Sequence, residues 1–207
     1  MANKPALEDI VRNSKAEIVL EKGKSALYIG SGPCVENVSH ISNLVDASTY
    51  ILSDFEFKSN EQVDVAGKTV LTTSKDGFEV LKADSTINFV IIDQAVSYRE
   101  AYNTIPNGTY VHFNYLFPVS PMSAKYIGLE PSRVKGIFVK QRDASTSDFE
   151  FFYKIRAAET LRTSIKAIKN FQGMEKATAN LKVELKESVD ALKELSAEEK
   201  AYLLREV

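Results

Sequence analysis

The chain has 207 residues, 44% hydrophobic and 26% charged, with a formal net charge of −2 at pH 7. That is the composition of a globular protein of one ordinary domain plus an extension, and it gives no general attraction for nucleic acid or anionic membrane. The single cysteine, Cys34, excludes an intramolecular disulfide framework, and His40 and His112 lie too far apart in sequence for a structural zinc site. The amino-terminal segment lacks a signal-peptide core and no run reaches membrane-spanning length, so a soluble, cytoplasmic protein without a membrane partner is expected. On that expectation the sequons at Asn37 and Asn107 are chance matches.

Residues 5–20 read as a helix. Pro5 suits a first turn, Leu7, Ile10, Val11 and Ile18 fall roughly on one face, and Gly23 is placed to cap the end. Leu27–Ile29 predicts a strand that enters the glycine turn Gly30-Ser31-Gly32, with a helix over Val35–Val45 beyond it. Tyr50–Leu52 is a second strand, ending in Ser53-Asp54, and Thr69–Thr72 is a third, after a turn at 66–68. A short helix is expected over Phe78–Lys82. Ile87–Ile92 is almost wholly apolar, the pattern of a strand buried on both faces of a parallel sheet. Ser97–Thr104 reads as helix, Pro106-Asn107-Gly108 as a turn and Tyr110–Tyr115 as a fifth strand.

Two β-rich runs, Val134–Val139 and Phe149–Ile155, then flank a polar stretch and read as an antiparallel pair. Residues 156–207 read as helical. Leu161, Ile165, Ile168 and Phe171 share one face, Gly173 interrupts, and Met174, Leu181, Leu185, Leu192 and Leu195 follow near-heptad spacing. Ser196 and Glu199 form a capping box that opens a last helix with Tyr202 and Leu203. The stripe over 174–207 either packs on its own domain or serves a homo-oligomer or protein partner. The divisions expected are thus an N-terminal helix (1–24), an α/β domain (25–155) and a helical extension (156–207).

A strand, a Gly-x-Gly turn, a helix, a second strand and an acid are the parts with which an open α/β sheet binds a nucleoside cofactor. Glycine lets the backbone bend sharply against a ligand, and the Asp54 carboxylate can accept both hydroxyl hydrogens of a ribose. The bland alternatives are a tight turn at Gly30 and Gly32 and a helix N-cap at Asp54. Gly23-Lys24 and Gly67-Lys68 are not phosphate loops, because the glycine needed five residues earlier is Ile18 in one and Gln62 in the other. The third glycine of a dinucleotide motif would fall at Val35, which disfavours that cofactor.

On "LYIGSGPC", "YILSD", "INFVIID", "IPNGTYVHF" and the closing strand pair, residues 25–155 resemble the class I S-adenosylmethionine-dependent methyltransferases. The Gly-Ser-Gly-Pro form is similar to that of the nicotinamide-type methyltransferases and the nicotianamine-synthase-like enzymes, which transfer an aminobutyryl group. The resemblance implies a doubly wound, mostly parallel α/β sheet with a terminal antiparallel pair. It implies S-adenosylmethionine as cofactor, with Gly30, Ser31 and Gly32 against its amino-acid portion and Asp54 on its ribose. Asp76, Gly77 and Phe78 would lie near the adenine. Asp93 with Gln94 would stand at the acceptor pocket, shaped by Tyr98, His112 and Tyr115, with Asp93 or His112 as a base. His112 and Asp93 also have plain readings, as a core histidine and a cap or loop residue.

Three departures from that pattern matter. Tyr28 occupies the position two before the first glycine, where the resembled family usually has an acid. Cys34 replaces a third glycine, and Asp93-Gln94-Ala95-Val96 is not the motif of enzymes that methylate DNA amino groups. The expected function is a methyltransferase acting on a small molecule or protein. A non-catalytic scaffold that keeps the fold comes second, and an aminobutyryl-transferring synthase third.

Overall fold

The computed structural model describes residues 6–93, 102–114 and 118–205. The chain forms two compact units, Met1–Pro118 with Gly128–Asp143, and Val119–Ile127 with Ala144–Val207.

The first unit contains α1 (Leu7–Arg12), β1 (Ile18–Val19), β2 (Ser25–Ile29), α2 (Val38–Ser42), β3 (Val45–Asp46) and β4 (Thr49–Ser53). It continues with β5 (Glu61–Val65), β6 (Lys68–Thr73), α3 (Gly77–Ala83), β7 (Ile87–Asp93), β8 (Tyr110–Asn114), β9 (Leu129–Pro131) and β10 (Ile137–Lys140). Eight strands make one mixed sheet in the order β5-β6-β4-β2-β7-β8-β10-β9. The strands β6, β4, β2, β7 and β8 are mutually parallel, while β5, β10 and β9 pair antiparallel with their neighbours.

Burial explains the parallel centre. Every residue of β2 is buried, and β7 is buried over most of its length, so both faces are covered. On one face Tyr28, Tyr50, Leu52, Phe89, Ile91 and Ile137 pack with Val11 of α1 and with Val38 and Ile41 of α2. On the other, α3 meets Ile29 of β2 at Gly77. The chain leaves β2 toward β4 on one side and later returns through β7 on the other. The carboxyl ends of β2 and β7 are therefore the switch point at which open α/β sheets bind ligands.

Several elements differ from the sequence expectation. The first helix stops at Arg12 rather than residue 20, because the Ile18 and Leu20 amides bond to the Leu44 and Asp46 carbonyls and make Ile18–Val19 a strand. Gly23 accordingly sits in a turn, with φ +85°, before β2. The helix expected over Val35–Val45 is a 3₁₀ turn (Val35–Asn37) and the five-residue α2, since Val45 is taken into β3. The strand β5 had no sequence expectation: its side chains are mostly exposed. The turn at Ala66 (φ +50°) and Gly67 (φ +75°) has the two left-handed residues of a two-residue hairpin, which pairs β5 with β6. Of the helix expected over Ser97–Thr104, only Tyr102–Thr104 is described, as a 3₁₀ turn. Gln94, Tyr98, Tyr115 and Pro5 lie outside the described residues.

One buried cation anchors the far side of this sheet. Lys140, at the end of β10, is fully buried, and its Nζ donates to the Ile105 carbonyl (2.5 Å) and to Asp143 Oδ1 (2.7 Å). It also stands 5.0 Å from the ring centroid of Tyr102, whose phenol is pushed above its ordinary pKa by burial. Lys140→Ala leaves the Ile105 carbonyl without its donor and opens a cavity. The expected loss is about 2–4 kcal/mol in urea unfolding.

The second unit is helical: α4 (Pro121–Ala124), α5 (Thr146–Ile168), α6 (Glu175–Ala191) and α7 (Ala197–Leu204). Its core is Ile155, Ala158, Ile165, Leu185, Val189, Leu192, Leu195 and Leu203. The near-heptad leucines thus face their own unit, with Leu185, Leu192 and Leu195 at most 5% exposed. Phe149–Ile155, expected as a strand, lies inside α5, so the expected division at residue 156 cuts through that helix. Ser145 and Asp148 form a capping box, and Phe149, Phe152 and Ile155 recur every three residues on its buried side. The antiparallel pair closing the sheet is instead β9 with β10. Among the described residues no helix is long and apolar enough to cross a membrane.

Glu199 does two tasks here. It completes the capping box of Ser196, and it accepts from Lys125 Nζ and the Tyr126 hydroxyl (3.2 Å). Burial pushes its carboxyl upward, but the bonds from Lys125 and Ser196 outweigh burial and hold its pKa below the ordinary value. A carboxyl lowered on folding contributes stability that is present above its unfolded value and is lost as pH falls through the folded one. Glu199→Gln should therefore lower thermal stability at neutral pH and lose that effect as pH falls through the carboxyl's lowered folded value, read by melting curves across pH.

Candidate functional site

Of the residues expected from sequence, Gly30, Ser31, Gly32, Asp54, Asp76, Gly77, Phe78 and Asp93 lie at or just beyond the carboxyl ends of β2, β4, β6 and β7. Strand register sets Ile29 beside Ser53, Ser53 beside Thr73, and Asp93 beside Asn114. The residues that end these strands, and those that follow β2, β4 and β6, therefore share one rim of the sheet.

Gly30 and Gly32 are both left-handed, at φ +75° and +74°. A side chain at Gly32 would also place its Cβ 3.1 Å from Asn37 Nδ2. The turn satisfies its own donors. The Gly30 and Ser31 amides donate to the Ser53 carbonyl (2.9 and 3.2 Å), and the Gly32 amide donates to Asp54 Oδ2 (2.8 Å). Asn37 Nδ2 donates to the Ser31 carbonyl (2.6 Å) and closes the loop from below. Asp54 Oδ1 accepts from the Glu56 amide (3.0 Å), so each carboxylate oxygen holds one backbone donor. Beyond Asp54, Phe55 is 78% exposed. A cavity of about 340 Å³ opens beside the turn, lined by Pro33, Cys34, Glu36, Glu56, Phe57 and Lys58, at the low end of small-molecule sites.

The segment after β6 is tied to the same rim. Ser53 Oγ donates to the Lys75 carbonyl (2.7 Å), and Asp76 Oδ1 accepts from the Phe78 amide (2.8 Å) as the N-cap of α3. Phe78 is 3% exposed and belongs to the core. Gly77 lies so near Ile29 that a Cβ would approach Ile29 Cγ1 to 2.7 Å.

A second group sits at the ends of β2, β7 and β8. Asn114 Nδ2 donates to Asp93 Oδ2 (2.8 Å) and to Tyr28 Oη (2.9 Å). The Tyr28 phenol is pushed above its ordinary pKa by burial and then by the Asp93 charge, while Asn114 acts in the opposite direction. Tyr28 is therefore protonated at neutral pH, and its hydroxyl oxygen accepts from Asn114. His112 lies one pleat further in. Its Nδ1 is 2.9 Å from the Gly136 carbonyl, and burial lowers its pKa against the opposing effect of that bond. At neutral pH the ring is neutral, with Nδ1–H donating to Gly136 and Nε2 left as acceptor.

Gly30, Ser31, Gly32 and Asp54 are thus brought into one bonded unit, and Asp93 stands on the adjoining strand. Asp76, Gly77 and Phe78 back the turn, and His112 is held inside the sheet. Sequence reasoning passed over Asn37, Phe55 and Asn114. Asn114 closes a strand whose neighbour closes on Asp93, which is the signal that would have found it. No protein-family model, curated protein or solved structure matches the chain.

Gly77→Ala should cost about 1–3 kcal/mol, because Ile29 must shift where β2 enters the turn. Thermal unfolding of the variant measures it.

Proposed function

We infer that the first unit binds S-adenosylmethionine and works as a methyltransferase on a small-molecule or protein acceptor. The observation that carries this reading is the electrostatics of the turn. Its amide donors at Gly30, Ser31 and Gly32 are spent inside the protein, and carboxylates stand on both sides of it at Asp54 and Asp93. A phosphate ligand requires free donors and positive charge, whereas a sulfonium that also carries an ammonium is suited to carboxylates. The helix behind the turn, α2, has only five residues and offers little dipole to an anion. The closing antiparallel pair that the resemblance implies is supplied by β9 and β10.

The residues present fit the cofactor. The left-handed glycines turn the backbone sharply at the rim, and Asp54 keeps lone pairs for two ribose hydroxyls after accepting its two amides. Phe55 offers an exposed ring for a base. When bound, the cofactor supplies an electrophilic methyl for in-line attack by an acceptor oxygen, nitrogen or sulfur. The protein's part is positioning, exclusion of water and, for an acceptor that must lose a proton, a base at Asp93 or His112.

The second reading, a scaffold that keeps the fold without activity, is favoured by Tyr28 where an acid is expected. Aminobutyryl transfer by the same cofactor is the third. Isothermal titration with S-adenosylmethionine and S-adenosylhomocysteine separates the scaffold from the transferases. Binding on the order of micromolar, lost in an Asp54→Ala variant that still melts cooperatively, is the expected result. No binding at millimolar ligand leaves the scaffold. With binding established, S-adenosylhomocysteine as product marks methyl transfer and methylthioadenosine marks the aminobutyryl reaction.

A further inference from the structure

The two edges of the eight-stranded sheet are built differently. The strand β9 is three residues long and ends in Pro131, a short and proline-marked form that resists the addition of another strand. The strand β5, at the opposite edge, has five residues, no proline, no lysine and an unbroken register with β6. Among the described residues no strand pairs on its outer side. The hairpin fixes which backbone groups face that side. The two-residue turn at Ala66 and Gly67 makes Val65 and Lys68 a hydrogen-bonded pair, and the Glu61 amide faces β6, where it donates to Thr72 Oγ1 (3.2 Å). By alternation Val63 also turns its backbone groups inward, while Gln62 and Asp64 turn theirs outward, where another strand can pair with them.

Charge selects the kind of strand. The sequence of β5 holds Glu61 and Asp64 and no basic residue, and its side chains are mostly exposed. Glu61 accepts from Ser59 Oγ (2.8 Å) and Asp64 from Thr69 Oγ1 (2.8 Å), and among the described residues neither is paired with a cation. Lys68, at the head of β6, is bonded to Asp46 instead. A second copy of β5 would double the carboxylates on one pairing, so the edge disfavours itself and favours a basic segment. On the α3 side, a cavity of about 380 Å³ runs from Glu61 and Gln62 across Leu71 to Val80, a floor for an apolar side chain of the added strand.

We propose that the outer edge of β5 takes up an extended basic segment of a partner protein as a further strand. The main chain of the segment pairs with Gln62 and Asp64, and cations three residues apart meet Glu61 and Asp64. The inference goes beyond the cofactor reading and is independent of it, since it uses no group of the glycine turn.

The test titrates short labelled peptides into the full chain without cofactor, read by fluorescence anisotropy. One peptide carries two lysines three positions apart among threonine and valine, a second has glutamate in place of lysine, and a third is the lysine peptide N-methylated at every residue. The lysine peptide should bind with a Kd on the order of 100 µM, and the other two roughly tenfold more weakly or not at all. Gln62→Pro removes an outward donor at an edge position where proline is tolerated and spares the bonds to β6, so it should weaken the lysine peptide by roughly tenfold. The double variant Glu61→Lys, Asp64→Lys should reverse the preference toward the glutamate peptide, and it provides the reading if Gln62→Pro does not fold. No binding of the lysine peptide overturns the proposal. So does equal binding of the N-methylated peptide, which means attraction by charge alone, or unchanged binding in a Gln62→Pro variant that melts like the wild type. A dimer in sedimentation equilibrium that Gln62→Pro abolishes assigns the edge to a second copy and overturns it as well.

Discussion

The bond from the Gly32 amide to the Asp54 carboxylate is the constraint on which the rest of the rim depends. It fixes a left-handed turn after β2 to the residue that follows β4. The Ser53 carbonyl reinforces the join by accepting the Gly30 and Ser31 amides. From there the connections spread outward. The Asp54 amide donates to the Thr73 carbonyl and Ser53 Oγ to the Lys75 carbonyl, so the segment before α3 is bound to the same corner. Loops that bury polar backbone need partners for it, and here those partners are each other.

That economy of donors has a chemical consequence. A glycine turn with free amides attracts anions, while one whose amides are spent and whose neighbours are carboxylates attracts cations. Two similar Gly-x-Gly strings can therefore favour opposite ligands, and the difference lies in hydrogen bonds that no string displays. Tyr28 belongs to the same logic. A buried phenol with a raised pKa stays neutral, so it sits beside a carboxylate that an acid in its own position would repel.

The parts of the fold that were legible share a physical cause. The strands β2, β4 and β7 are buried on both faces, so their sequences are dense in apolar residues and bounded by turn residues. The capping box at Ser196 and Glu199 was equally plain. The parts that were missed are those in which pairing overrode local preference. Val45 looks like the end of a helix and is drawn into β3 by β1, and β5 exposes its side chains and depends on its hairpin turn. In Phe149–Ile155 the aromatic residues suggested a strand, although Ser145 and Asp148 had already opened a helix by the same device seen at Ser196.

The sequence by itself determined the local features: where the chain must turn left-handed, which acid follows which apolar run, and which leucines form a stripe. These depend on neighbours within a few residues, and short-range sterics and periodicity are enough to set them. Only the tertiary structure decided that the leucine stripe turns inward on its own unit. It alone brought Asn114 within a hydrogen bond of Tyr28, 86 residues away in sequence, and set both beside Asp93. Strand order and register fix such meetings, and register comes from the packing of the whole sheet rather than from any one strand.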